Sequence, residues 1–379
     1  MEPHEHDPYE AWGALNPASA RGPDGQLYLF PRLVAKGNYS RIGIARVRFD
    51  AAGDPVAVER LGIALEPTEA YEKNPVTGGG CEDPRISYIE TLGRYVMTYT
   101  AFSPHGPRIA VAVSKDLFAW ERLGVVQFRS TRSHDLNAVD NKDAALFPSP
   151  IAHPRTGQPA LALIHRPTFA GSPAYSFMDR WWDKSTAAVG PTPASGPAIA
   201  VPIKVAGQRL THPSVWISYS QIGNGLDDLC SFDSHHRLIS PSRSWEREKV
   251  GGGPPPLLTQ HGWLLLYHGV AYRTGHFRYS AGAVILDRDN PKHILCRTSA
   301  PILSPGADDQ LGVVPDVVFP TALDRRTDIG MPDRIDVYYG MADSRVGVAT
   351  LTLPHVLELT QPRPRNRLQR AAVARPAAQ

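Results

Sequence analysis

The sequence predicts an all-β protein, a five-bladed β-propeller, on three observations. Helix signals are scarce: 36 prolines and 32 glycines punctuate the chain, and amphipathic runs with a 3.6-residue period are short or missing. Pairs of short strands rich in aromatic and β-branched residues recur along its length. The pairs are also regularly placed, with Leu27, Tyr95, Leu161, Trp263 and Ile335 in matching positions about 70 residues apart except across one wider gap. Such spacing suits a four-stranded blade with its loops. A two-sheet sandwich shares the short strands and turns, but it has no need of the repeat.

Each pair reads as an apolar strand, a polar turn and a strand with small residues. The first is "QLYLFPRLV" with "SRIGIARVRF", Gln26 to Phe49. "RYVMTYTAF" and "RIAVAVSKDLFAW" follow (Arg94 to Trp120), then "PALALIHRP" and "SVWISYSQ" (Pro159 to Gln221). "GWLLLYHGV" and "SAGAVILDRDNP" make the fourth (Gly262 to Pro291), and "RIDVYYGMAD" and "RVGVATLTL" the last (Arg334 to Leu353). The wider gap holds an insertion at about 168–213, rich in Pro, Ala and Gly around Trp181 and Trp182. A loop that long is usually functional or disordered. Residues 1–359 therefore read as one domain, and 360–379 as a disordered basic tail.

Composition narrows the function classes. Hydrophobic content of 42% supports a proper core. The formal charge of +3, less the five arginines of the tail (Arg363, Arg365, Arg367, Arg370 and Arg375), is −2 for the body. A near-neutral body gives no electrostatic reason to expect nucleic acid or a membrane as partner. Three widely spaced cysteines, Cys81, Cys230 and Cys296, lack metal-ligand spacing and point to a reducing compartment. The acidic, polar N-terminus is unlike a signal peptide, and no apolar run approaches the roughly 20 residues that span a bilayer. A soluble cytoplasmic protein is the expectation.

"GGGCEDPRISYIE", from Gly78 to Glu90, is the most pointed stretch. Its glycines permit unusual backbone bends, and Pro84 then restricts them. In an extended segment Glu82 and Asp83 face opposite sides, with Arg85 on the side of Asp83. The stretch reads as a device that presents one carboxylate beside one guanidinium. A turn-capping aspartate is the plain alternative.

Other charged residues stand at the ends of apolar strands, where a solvated surface explains them poorly. Arg41 opens "RIGIA", with an edge-strand charge as the alternative. Arg166 in "LALIHRP", Lys249 before "VGGGPPP" and His268 in "LLLYHGV" say little singly, and a lone His at the end of an apolar strand reads more readily as a core or rim residue; together the three would make a cationic pocket for phosphate or sulfate. The side-chain-poor run after Lys249 would let a substrate approach its ammonium. Asp343 in "YYGMADSRVG" adds a carboxylate from the last pair. Asp143 and Lys142 in "NKDAALFP" read first as a loop salt bridge, and second as a further carboxylate and a further cation of the site. No zinc spacing, Walker loop or Gly-x-Ser-x-Gly elbow is present, so no metal or organic cofactor is expected.

From about Asn16 to Leu353 the sequence resembles glycoside hydrolase family 130, the mannoside phosphorylases and related mannosidases. The resemblance rests on "YSRIGIA", "GCEDPRIS" with "YVMTYTAF", "NKDAALFP", "HRP", "GGGPPPLLTQHGWLLLYHGV", "PDVVFP" and "YYGMADSRVGVA", in that order. It implies a five-bladed propeller and a general acid at Asp83, protonating the glycosidic oxygen by way of the mannose 3-hydroxyl. It further implies phosphate held by Arg166, Lys249 and His268, and sugar contacts at Asn16, Arg41, Arg85 and Asp343. Asp143 joins the substrate-binding candidates as a further carboxylate. The insertion after Pro167 is long for the family, and Pro31 stands where an aromatic is usual before Arg32.

An inverting hydrolase needs an acid and a base roughly 6.5–9.5 Å apart. A phosphorylase needs only the acid, because phosphate is already an anionic nucleophile. One presented carboxylate and three cations therefore fit phosphorolysis of a β-mannoside, with inorganic phosphate as co-substrate and α-mannose 1-phosphate as product. The alternatives are a hydrolase that activates water with Asp143, Asp343 or Asp316, and a sugar-binding propeller without turnover. Members of the family often form trimers or hexamers, so self-association is a further expectation, though no residue here selects a subunit number.

Overall fold

The computed structural model describes residues 1–74, 78–132, 135–169, 204–205, 208–209, 212–273, 275–307 and 312–360. The protein is all-β, with short 3₁₀ turns and a single eight-residue helix, Leu353–Thr360, among the described residues. Most of the expected insertion, including Trp181 and Trp182, lies outside them, as does the tail from 361.

The strands form sheets of eight, six, five and three strands and a separate pair, Lys204–Val205 with Gln208–Arg209; the four larger sheets divide, in chain order, into five mainly antiparallel groups, called units here. Unit one is Gly13–Arg21, Leu27–Ala35, Tyr39–Phe49 and Pro55–Leu65, and unit two is Gly79–Ile89, Arg94–Ser103, Gly106–Ser114 and Glu121–Val125. A short parallel pairing, Tyr39 with Gly79 and Ser40 with Gly80, joins these two into one eight-stranded sheet. Unit three comprises Asp140–Leu146, Pro159–Thr168, Val215–Gln221 and Ser231–Ile239. Unit four runs Lys249–Gly252, Gly262–Arg273, His276–Leu286 and Ile294–Arg297, and unit five has Val318–Arg325, Arg334–Met341 and Arg345–Thr352. Each strand pair read from the sequence is the pair of neighbouring antiparallel strands within one unit.

The core is divided among the faces where units meet. Phe30 and Ile42 of unit one pack with Ile86, Met97 and Tyr99 of unit two. Val96 and Val111 meet Leu146, Leu161 and Trp216 of unit three. Ile164 and Ile217 meet Trp263 and Leu265 of unit four. Leu264 and Leu266 meet Ile335 and Val337 of unit five, with Leu353 and Val356 of the helix covering them. Leu27 and Leu29 then pack against Ala322 and Tyr338, bringing unit five back to unit one. The alternating strands bury side chains on both faces, which is why their sequences read as nearly continuous apolar runs.

The first strands of units one to three share one device. Asn16, Asp83 and Asp143 have φ of 45°, 45° and 55°, and at each the pairing register with the next strand slips. Asn and Asp tolerate the left-handed region better than other side chains, and a bulge re-aims the side chain it carries. Asp316, with φ of 60°, holds the comparable place just ahead of the first strand of unit five.

Candidate active site

The left-handed turn at Asp83 changes the expected geometry of its motif. Glu82 and Asp83 do not face opposite ways: Arg32 donates from Nη2 to Glu82 Oε1 (2.8 Å) and from Nη1 to Asp83 Oδ1 (3.4 Å). Strict strand alternation fails because the bulge between Glu82 and Arg85 breaks it. Asn16 Nδ2 also donates to Asp83 Oδ1, at 2.8 Å. It can lie there because Gly340 has no side chain; a Cβ at that position would sit 1.9 Å from Asn16 Oδ1. Both donors converge on Oδ1, and among the described residues Oδ2 accepts no hydrogen bond.

Arg85 is placed beside Asp83 but not on its carboxylate. Its guanidinium is 1% exposed, with Nη1 donating to the Asp83 carbonyl (2.7 Å) and Nε to the Gly253 carbonyl of unit four (3.0 Å). It therefore ties the bulge to the neighbouring glycine run, leaving Nη2 without a hydrogen-bond partner.

Asp143 organises the cationic side. Arg166 donates from Nε to Asp143 Oδ2 at 2.5 Å, and His268 Nε2 lies 3.8 Å from the same oxygen. The contact is a buried ion pair within strands, where the sequence allowed a loop salt bridge. Burial pulls the Asp143 carboxyl up, but Arg166, then His268 and Arg85, outweigh it and hold it below the usual carboxylate range. Gly251 explains how these groups approach: a Cβ there would lie 2.3 Å from both Asp143 Oδ2 and His268 Cε1. The glycine after Lys249 thus makes room for protein side chains, whereas the sequence suggested room for a substrate.

His268 is fully buried, and neither ring nitrogen has a hydrogen-bond partner. Burial lowers its pKa to about 3, with Asp143 opposing and Arg166 and Lys249 adding to the shift. It is therefore a neutral imidazole at pH 7, packed on Phe319 at 4.4 Å and stacked on Tyr279 at 6.1 Å. The expected trio of cations is two cations and a neutral histidine. Lys249 is buried too, its Nζ 4.9 Å from the Tyr279 ring. The Asp83 charge reaches Arg166, so the acid and the cationic group share one electrostatic environment.

Asp343 sits in the turn after Arg334–Met341. Burial raises its carboxyl above the ordinary value; Arg32 and Lys142 oppose this, and Asp83 and Glu82 reinforce it. Those couplings place it on the Asp83 side of the site. Asp316 is engaged with His276 at 2.5 Å. Arg41 departs from the group: it bonds Glu66 at 3.0 Å and lies over the rings of Tyr9 (4.4 Å) and Tyr39 (5.5 Å). Among the described residues no contact joins it to Asp83. Strand alternation is the reason, since Ser40 takes the inward face and bonds Arg32.

Arg32 and Glu82 were missed as site residues. The signal for Arg32 was present, a charge inside the apolar strand "LYLFPRLV" by the same criterion that selected Arg41. Tyr279 and Phe319 carried none, because an aromatic within a strand reads as ordinary core. No group of three or more His, Cys, Asp or Glu placed to hold a metal ion occurs among the described residues.

Comparison with known proteins gives this site its context. A glycoside hydrolase family 130 profile, described as beta-1,4-mannooligosaccharide phosphorylase, matches residues 6–165 and 199–362. The chain belongs to that family. A 1,2-beta-oligomannan phosphorylase from Thermoanaerobacter sp. (strain X514) is 28% identical over 363 residues, 94% of this chain and 95% of the relative. A beta-1,2-mannobiose phosphorylase from the same organism is 30% identical, covering 82% and 74% of the two chains. Among solved structures, the beta-1,2-mannobiose phosphorylase of Listeria innocua in complex with beta-1,2-mannobiose superposes with a TM-score of 0.64 at 24% identity, over 94% of each chain. That likeness supports the fold.

Proposed function

We propose that the protein is an inverting phosphorylase that cleaves a β-mannoside with inorganic phosphate, releasing α-mannose 1-phosphate and a shortened acceptor. The observation that carries this reading is the gathering of Arg166 and His268 on Asp143, with Lys249 beside them, in the electrostatic field of Asp83. The names of the relatives support it.

In this reading Asp83 is the general acid. Asn16 and Arg32 occupy Oδ1, so Oδ2 carries the proton toward the leaving oxygen, relayed by the mannose 3-hydroxyl. Phosphate approaches the anomeric carbon from the opposite side. Arg166 and Lys249 offset its charge, and the unpartnered nitrogens of His268 supply a neutral donor. Positioning and charge stabilisation then do the catalytic work. Asp343, Arg85 and Arg41 complete the sugar-binding candidates, Arg41 from its place against Glu66 and Tyr9.

The five units whose cores pass from one to the next and back to the first support a five-bladed propeller, with the site where the first strands meet. Three free cysteines suit a reducing cytoplasm. No helix among the described residues is long and apolar enough to cross a membrane.

A product assay on a panel of β-mannosides, with and without phosphate, tests the activity. Release of α-mannose 1-phosphate only when phosphate is present is the expected result. Equal sugar release in phosphate-free buffer would refute phosphorolysis in favour of hydrolysis. That rival leans on Asp343 as base, because Asp143 and Asp316 are engaged with Arg166 and His276.

A further inference from the structure

Glu82 is a charge that the proposed reaction leaves without a task. Its side chain is 2% exposed, yet it accepts from two cations on other strands: Arg32 of unit one at 2.8 Å and Lys142 of unit three at 3.4 Å. A carboxylate this deeply buried is costly unless paired and hydrogen-bonded, and here both oxygens are used. Arg32 is held on every side, by Glu82 at Nη2, by Ser40 Oγ at Nε (2.9 Å), and by Asn38 Oδ1 (3.4 Å). What remains is Nη1, and it points at Asp83 Oδ1.

We infer that Glu82 is a positioning residue for the acid: it clamps Arg32 so that Nη1 and the Asn16 amide together hold Asp83 Oδ1, leaving Oδ2 to deliver the proton. The inference rests on the assignment of Asp83 as general acid in the proposed function. A carboxylate free to rotate would present either oxygen; one held by two donors on the same oxygen presents the other. Lys142, whose Nζ lies 5.5 Å from the Phe102 ring, is drawn to the same side by the second Glu82 oxygen. Glu82 thus ties three units together directly behind the acid. The arrangement mirrors Asp143 with Arg166 and His268 on the phosphate side.

The test compares Glu82→Gln, Arg32→Lys, Arg32→Met and the Glu82→Gln/Arg32→Met double variant in the full chain. Release of sugar from a β-mannoside is followed with mannoside varied at saturating phosphate and with phosphate varied at saturating mannoside, and melting temperature is measured in parallel. Glu82→Gln should lower kcat about 10- to 100-fold, with the KM for mannoside and for phosphate changed less than about threefold, as expected when orientation at the reacting bond is lost. In the Arg32→Met background the same change should cost less than about twofold more, because residues acting through one another are not additive.

Arg32→Lys keeps the charge but cannot hold both carboxylates with one fork, so it should show the same loss of kcat. This variant decides the matter if Glu82→Gln fails to fold. A wild-type kcat in Arg32→Lys, or losses that multiply in the double variant, overturns the inference while leaving the proposed function intact. If the wild type instead releases no sugar from any mannoside, with or without phosphate, the functional reading and the inference built on it both fall.

Discussion

Replacing Gly251 by alanine asks whether the phosphate side of the site is built as described. The new Cβ would stand 2.3 Å from Asp143 Oδ2, 2.3 Å from His268 Cε1 and 2.6 Å from His268 Nε2, against ordinary contacts that begin near 3.4 Å. About 1 Å of displacement must therefore come from neighbours that are themselves fixed. Asp143 is 2% exposed and held by Arg166, and His268 is fully buried between Phe319 and Tyr279. Overpacking of this kind costs about 1–3 kcal/mol. If it falls on the phosphate locus it raises the KM for phosphate about tenfold, since about 1.4 kcal/mol is a factor of ten. Asp83 lies in another unit, so the KM for mannoside should change less than about threefold. Initial rates of mannose 1-phosphate release against phosphate concentration, with a thermal melt on the same sample, measure both effects. A KM for phosphate within twofold of wild type in a folded Gly251→Ala protein would refute the assignment of Arg166 and His268, gathered on Asp143, to phosphate.

The mirror experiment is Gly340→Ala, which places a Cβ 1.9 Å from Asn16 Oδ1; it should depress kcat and spare the KM for phosphate, and the reverse split would count against the role of Asn16. Asp83→Asn should lower kcat about 10²-fold or more, the usual scale for a general acid, and retention of most activity would remove Asp83 from that role. Lys249→Ala should raise the KM for phosphate with little change in that for mannoside, so unaltered phosphate saturation would dismiss it as a ligand. His268 makes a prediction about pH. The unfolded chain takes up its proton near pH 6.5, whereas the folded protein resists until about 3. The unfolded state therefore binds more protons in that window, and the contribution of His268, fully present above about 6.5, is lost as the pH falls toward 3. Melting curves of wild type and His268→Asn across this range should converge or cross as the pH drops, and a constant difference would contradict a buried neutral imidazole.

Much of this was readable along the chain because the relevant physics is local. Strands such as "LALIHRP" and "WLLLYHGV" carry their apolar patterning in a few consecutive residues, and the pairs they form lie next to each other in order. Asp83, Arg166, Lys249 and His268 stood out as charged or titratable groups that a solvated loop explains poorly. The roles among them were not readable. Asp143 read first as an ordinary salt bridge, and in the fold it is the carboxylate on which Arg166 and His268 converge.

An all-β chain of repeated strand pairs, and the residue types available for acid and anion chemistry, follow from residue order alone, because hydrophobic period and residue identity are properties of short segments. Which groups face one another is settled by packing. A left-handed φ at Asp83 turned two expected opposites, Glu82 and Asp83, onto the same arginine. Burial among residues brought together from several units left His268 neutral. Desolvation and approach distance are sums over residues far apart in the chain, and no window of sequence contains them.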